Sequence, residues 1–259
     1  MCSSDLKLNG VAIKLRGIDH HDIWPEEGRV ATEARMRRDL ELMREAHINF
    51  IRTSHYPPHP RFLELCDEMG FYVDCEVPFI HGRKNLSDPS FQEALYARAR
   101  ATVMRDKNRA SIIFWSLGNE NHVNELGLNA GRRVKELDPT RPITFPTMGS
   151  HFRGNYQLYP EFVDLYSPHY PSAGTVRDYA EKLTRPIVVT EYAHQRGLSR
   201  GGAGVQEIWE AIWQSPRVAG GAGKDESAGK EVSAESADVE VEPADEDTVE
   251  KDSGDTPNA

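Results

Sequence analysis

Two glutamates stand out for where they fall in the chain. Glu120 closes the run Leu117-Gly118-Asn119-Glu120, directly after the most apolar stretch of the sequence, residues 111–117. Glu191 follows a second apolar run, residues 187–190, in the same manner. A carboxylate that ends one strand is often no more than half of a salt bridge. Two carboxylates, each at the C-terminal end of a buried strand, are the pair that glycoside hydrolysis needs. One acid protonates the departing oxygen, and the other attacks the anomeric carbon or activates a water to do so. Arg52 lies in Arg52-Thr53-Ser54-His55-Tyr56-Pro57, after another apolar run. A cation beside a strand-end carboxylate keeps it ionised, as a nucleophile requires. His55 offers hydrogen bonds to sugar hydroxyls. His20 and His21 are adjacent, so their side chains diverge, and a shared metal is not expected. One of the two reads as a sugar ligand and the other as structural. Tyr170 offers an aromatic face on which a pyranose can stack.

These residues need a scaffold that gathers strand ends. Short apolar runs predict strands at residues 14–18, 49–52, 71–75, 111–117, 143–145, 164–167 and 187–190. Helical patterns alternate with them. Thr32 is placed to cap a helix whose apolar stripe is Met36, Leu40 and Met43, at spacings of one helical turn. Pro60 opens and Gly70 closes the next. Further helices are expected over residues 90–107, along Leu126, Ala130, Val134 and Leu137, over residues 175–183, and along Val205, Ile208, Trp209 and Ile212. Strands alternating with helices predict a parallel α/β sheet. Seven strands in order, with an eighth due after Arg217, predict a (β/α)₈ TIM barrel, whose active site is built at the C-terminal strand ends.

The composition is uneven. Residues 222–259 hold thirteen Asp or Glu against three Lys, and so carry the whole formal net charge of −10. They contain no aromatic residue and no Leu, Ile or Met. Two domains are therefore expected: a barrel over residues 1–221 and a disordered acidic tail over 222–259. The electrically neutral body argues against nucleic acid as a partner. No apolar run is long enough for a membrane span, and the N-terminus lacks the apolar core of a secretion signal. Three cysteines, Cys2, Cys66 and Cys75, read as free thiols of a reducing, cytoplasmic compartment. No cysteine pair has zinc spacing, and there is no nucleotide-binding glycine loop.

The segments Leu15-Arg16-Gly17-Ile18, Arg52 to Pro57, Leu65-Cys66-Asp67-Glu68, Asp106-Lys107-Asn108 with Ile112 to Glu120, Asp138-Pro139-Thr140-Arg141-Pro142 and Glu191-Tyr192-Ala193-His194 together resemble glycoside hydrolase family 2, the β-galactosidase and β-glucuronidase family. The resemblance runs from Leu8 to about Gly221. It implies a (β/α)₈ catalytic domain with Glu120 as acid/base, Glu191 as nucleophile and Asn119 holding the sugar 2-hydroxyl. It also places Arg52, His55, His21 and Tyr170 in the sugar subsite. The implied reaction is hydrolysis of a terminal β-glycoside with retention. A β-galactoside is the leading substrate, a β-glucuronide or β-mannoside the runner-up, and a catalytically silent carbohydrate-binding fragment the alternative of another class. Some β-galactosidases of the family hold magnesium through a Glu and a His after strand three. Here His81 is present, but no Glu stands two residues before it, so no cofactor or metal is expected. The family's strand eight carries a Gly-Gly-Phe-x-Trp run, whereas Gly220-Gly221 here leads into Ala222 and the acidic residues. The barrel is therefore expected to be truncated before or within strand eight. Strands one and seven would keep unpaired edges, and the isolated chain would be marginally stable and poorly active.

Overall fold

The computed structural model describes residues 6–80, 88–121, 123–146, 159–195 and 203–225. A small antiparallel hairpin, β1 (Lys7–Leu8) and β2 (Val11–Ala12), precedes the barrel. The barrel strands are β3 (Leu15–His20), β4 (Phe50–Thr53), β5 (Tyr72–Glu76), β6 (Ile112–Ser116), β7 (Ile143–Thr144), β8 (Ile187–Gln195) and β9 (Val218–Asp225). Helices α1 (Glu33–Glu45), α2 (Pro60–Met69), α3 (Gln92–Asp106), α4 (Glu125–Leu137), α5 (Ala173–Lys182) and α6 (Ala203–Gln214) lie between them. Every pairing in the seven-stranded sheet is parallel, in the order β7-β6-β5-β4-β3-β9-β8.

The local signals act as anticipated. The Thr32 side chain accepts the Arg35 amide and caps α1, and Met36, Leu40 and Met43 are its buried stripe. Pro60 is the first residue of α2, and Gly70 ends it in the left-handed conformation at φ 78°. The segment expected as a sixth strand, residues 164–167, forms only an isolated bridge, Tyr166 to Ile187, and a second, His169 to Glu191, lies just past it. Its backbone still reaches both neighbours: the Leu165 amide donates to the Ile143 carbonyl at 3.4 Å and the Val188 amide to the Tyr166 carbonyl at 2.9 Å. The Phe145 amide, however, goes to the Ser167 hydroxyl at 2.8 Å. A side chain thus takes a donor that a ladder carbonyl would use, and regular pairing stops.

The open edges expected on strands one and seven are instead paired. β9 runs beside β3 from Leu15↔Gly220 to Ile18↔Gly223, and beside β8 from Ile187↔Val218 to Gln195↔Asp225. The expectation rested on β9 lacking bulky side chains. Ladder hydrogen bonds do not need them, and the neighbours fill the space. A Cβ on Gly221 would lie 2.6 Å from the Val189 carbonyl, and one on Gly17 would lie 2.4 Å from the Phe50 ring. Folded chain thus continues past 221 to Asp225, while the rest of the expected tail, from residue 226, lies outside the described residues.

Inside the barrel the side chains are layered. Leu15, Phe50, Phe114, Leu165, Val188, Ala219 and Ala222 form an apolar floor. Above it the inward positions turn polar: Asp19 and Arg52, then Asp74 and Glu76, all buried. A larger apolar layer, including Leu40, Ile51, Phe62, Val73, Trp115 and Val189, joins sheet to helices. At the far end of α4, Asp138 accepts from Trp115 Nε1 at 2.9 Å and Arg141 Nη1 at 2.6 Å. Burial opposes its charge, yet hydrogen bonds from Thr140, Trp115 and Arg141 hold its carboxyl at about 2.

Two outcomes follow from this packing. Gly220 has φ 151°, and a Cβ there would sit 2.0 Å from the Leu15 carbonyl. Gly220→Val should cost about 3 kcal/mol or more in denaturant unfolding, and a loss under about 1 kcal/mol would show that strand eight is not seated. Asp138→Asn should cost about 2 kcal/mol at neutral pH. Because the folded carboxyl is depressed, its contribution is complete above the unfolded value near 4 and fades as pH falls towards 2. The wild-type advantage over the variant should shrink through that window.

Candidate active site

Arg52, next to last in β4, points inward and is fully buried. Its Nη1 donates to Asp19 Oδ1 at 3.0 Å and to Glu191 Oε1 at 2.8 Å. Its Nη2 donates to Asn119 Oδ1 at 3.0 Å and to Glu76 Oε2. Burial works against the guanidinium charge, but Glu76, Asp19, Glu191 and Asp74 together raise its pKa well above the ordinary arginine value. The carboxylates around it respond differently. Burial pushes Asp19 well above the carboxylate range, although Arg52 pulls the other way. Glu76 is equally buried, yet Arg52 and the bonds from His55 and Ser116 hold it below its ordinary value. Burial lifts Asp74 to about 7, and Thr144 Oγ1 donates to it at 3.0 Å.

Glu191, on β8, is wholly buried. Besides Arg52, its Oε1 lies 3.7 Å from His55 Nε2, while its Oε2 accepts from the Tyr170 hydroxyl. Burial, then the bond to Glu191, push the Tyr170 phenol well above its ordinary value, so it remains a donor. His55 is held by Glu76, whose Oε1 lies 2.9 Å from His55 Nδ1.

Glu120 reaches the site from a tight turn after β6. Gly118 has φ 90°, and a Cβ there would lie 2.1 Å from the Phe79 carbonyl. The Asn119 amide donates to that carbonyl at 2.7 Å, as does Asn121 Nδ2 at 2.8 Å. Glu120 itself sits at φ 50°. A non-glycine residue in the left-handed region costs of order 1 kcal/mol, and such residues cluster at functional sites. The turn brings one carboxylate oxygen of Glu120 and one of Glu191 within 4.8 Å of each other. His169 lies between them, its Nε2 3.3 Å from Glu120 Oε1 and 3.4 Å from Glu191 Oε1. Burial lowers the His169 pKa, against the pull of Glu120 and Glu191.

Six of the seven residues singled out in the sequence thus converge: Glu120, Glu191, Asn119, Arg52, His55 and Tyr170. Tyr170 engages Glu191 through its hydroxyl, a contact that stacking arguments do not anticipate. The seventh, His21, stands one step outwards, its ring edge-on to His55 at 5.3 Å. The adjacent histidines point to different neighbours. His20 points away, stacked on Phe62 at 4.5 Å with Nε2 3.1 Å from Asp39 Oδ2. Asp19, Glu76 and His169 were not singled out from sequence. Each carries a weak signal: Asp19 and Glu76 occupy inward positions of apolar strands, and His169 precedes Tyr170. The Glu-and-His magnesium set that the family resemblance raised does not fit. Phe79, two residues before His81, offers no side-chain ligand and gives its carbonyl to Asn119 and Asn121. His81 itself lies outside the described residues. No helix among the described residues is long and apolar enough to cross a membrane.

Comparison with known proteins identifies the family and the fold. Residues 2–225 match the family model for glycosyl hydrolases family 2, TIM barrel domain. A β-galactosidase of Vibrio cholerae serotype O1 is 38% identical over 230 residues, covering 83% of this chain and 22% of that enzyme. A β-galactosidase of Staphylococcus xylosus is 38% identical over 212 residues, covering 75% of this chain and 21% of the enzyme. The chain therefore spans about a fifth of the length of these curated relatives. Among solved structures, a family 2 β-galacturonidase from Eisenbergiella tayi bound to galacturonate superposes with a TM-score of 0.75 at 23% identity, over 86% of this chain and 45% of that one. A β-glucuronidase from Ruminococcus gnavus in complex with uronic isofagomine gives 0.73 at 22% identity, over 85% and 45%. The carboxylate-lined mouth of this parallel barrel is that of a TIM-barrel domain, and the chain belongs to glycosyl hydrolase family 2.

Proposed function

We propose that this domain hydrolyses terminal β-glycosides with retention, with Glu191 as nucleophile and Glu120 as acid/base. The observation that carries the reading is the spacing of the two carboxylates, with oxygens within 4.8 Å. Retaining enzymes hold the pair about 5–5.5 Å apart, whereas inverting enzymes need about 6.5–9.5 Å to admit a water. Glu191 Oε1 attacks the anomeric carbon while Glu120 gives its proton to the departing oxygen. The glycosyl–Glu191 ester is then hydrolysed by a water that Glu120 deprotonates. Arg52 favours the carboxylate form of Glu191, and the Tyr170 hydroxyl fixes its second oxygen. Asn119, His55 and His21 are the hydrogen-bonding groups assigned to the sugar. A β-galactoside is the substrate we assign, on the 38% identity to β-galactosidases.

Turnover on a panel of aryl β-glycosides tests this reading. Turnover of the β-galactoside is expected, and none on any sugar would favour a silent carbohydrate-binding role. Glu191→Gln should abolish labelling by a fluorinated galactoside that traps the covalent ester, read by intact mass. Glu120→Gln should slow hydrolysis of poor leaving groups by about 10²–10⁴-fold while sparing the first step for dinitrophenyl leaving groups. Equal loss on both would remove Glu120 from the acid role.

The raised Tyr170 phenol gives a further test. Its proton should be retained through pH 10, so the alkaline limb of the pH–rate profile should belong to another group. Tyr170→Phe should therefore lower kcat by about tenfold or more without moving that limb. An alkaline limb that disappears in the variant would show Tyr170 ionising there.

A further inference from the structure

The double displacement leaves one group at the centre of the site without a task. His169 has a side chain only 2% exposed, and its Nε2 makes no well-aligned hydrogen bond. That nitrogen nevertheless points between the two carboxylates, 3.3 Å from Glu120 Oε1 and 3.4 Å from Glu191 Oε1. Its other ring nitrogen lies 3.2 Å from Thr190 Oγ1, which sets the orientation of the ring.

These separations are those of a coordination polyhedron. Zinc binds imidazole nitrogen at about 2.0–2.1 Å and carboxylate oxygen at about 2.0–2.2 Å, so tetrahedral ligands stand about 3.4 Å from one another. Two edges of the Glu120–His169–Glu191 triangle already have that length, and all three donor atoms lie within 4.8 Å of one another. A modest turn of the Glu120 side chain closes the third edge. Glu120 is 15% exposed, which leaves a path from solvent and a fourth position for water. Glu191 Oε1 also accepts from Arg52, but a carboxylate oxygen has room for a second partner. The cationic Arg52 is offset by Glu76 at its Nη2. An imidazole with two carboxylates suits zinc better than magnesium, which prefers an octahedron of oxygens.

We propose that Glu120, His169 and Glu191 form a binding site for zinc or a similar divalent transition ion, and that its occupation switches the domain off. The ion would take up the attacking oxygen of Glu191 and the proton-bearing oxygen of Glu120 together. Inhibition should therefore be competitive with the glycoside. The switching consequence rests on the roles proposed above for the two glutamates, but the binding does not.

Zinc chloride titrated calorimetrically into the chelator-treated chain tests the site, with cobalt(II) as a spectroscopic probe. The expected result is one tight ion per chain, with the visible absorption of tetrahedral cobalt, weakened about tenfold or more in both His169→Gln and Glu120→Gln. If His169→Gln does not fold, the partly exposed Glu120→Gln decides alone. Absence of binding, or affinity unchanged in a folded variant, would overturn the site and place any bound zinc elsewhere. Zinc should also raise the apparent KM for an aryl β-galactoside, reversibly with chelator, and hydrolysis indifferent to saturating zinc would overturn the switch. A chain that binds zinc at these residues yet hydrolyses no glycoside would sink the proposed function and leave the site standing.

Discussion

Everything at the barrel mouth depends on one buried cation. Arg52 arises from β4, and its planar fork touches Asp19 on β3, Glu76 on β5, Asn119 after β6 and Glu191 on β8. A guanidinium presents five donors in fixed directions, so these contacts hold only when the contributing strands are in register. Burying such a group is not a route to stability, because desolvation offsets much of the Coulomb gain. What it provides is position. A shift in any of these strands would leave an uncompensated charge in a dry interior, which is far costlier than the shift itself. The web also sorts the carboxyls: Glu76 stays ionised, while Asp19 and Asp74 are pushed towards the protonated form.

The web can exist because the floor beneath it is apolar and closed. Leu15, Phe50, Phe114 and Val188 fill the barrel's lower layer, with Phe50 and Phe114 edge to face at 6.0 Å. The Phe50 ring needs room, and Gly17 on β3 supplies it, while Gly220 and Gly221 on β9 make room for Leu15, Val189 and Tyr192. The bulk that strand eight lacks is carried by its neighbours. Water is thereby excluded from below, and the polar layers face it only at the mouth.

Much of this was legible in the sequence, and the exceptions share a cause. The helices were readable because their apolar residues recur each turn and their ends carry Thr32, Pro60 and Gly70. The two glutamates were readable because each directly follows an apolar run in the sequence. Asp19, Glu76 and His169 were not, since a polar residue among apolar ones gains meaning only when the partner across the barrel is known. An eighth strand was expected after Arg217, but its reach to Asp225 was not legible, because strand propensity describes side chains that fit a pleated surface. At Gly220 and Gly221 the surface comes from Leu15, Val189 and Tyr192. Residues 164–167 erred the other way. Their composition suits a strand, but Ser167 diverts the Phe145 amide to its own hydroxyl.

The two glutamates are held in contrasting ways, and the contrast matches the division of labour proposed for them. Glu191 is fully buried on a strand, with Arg52 on one oxygen and Tyr170 on the other. An attacking atom must sit at a fixed distance from the anomeric carbon, since a misplacement of about 1 Å can cost 10²-fold in rate. Glu120 rides a left-handed turn that only the absence of a Cβ at Gly118 allows, and it remains partly open to solvent. A group that gives up a proton in one step and takes one from water in the next has to reach both the leaving oxygen and the solvent. Rigidity at Glu191 and access at Glu120 are competing demands on one small volume. The fold meets them by drawing one carboxylate from the middle of a strand and the other from a turn pinned to Phe79.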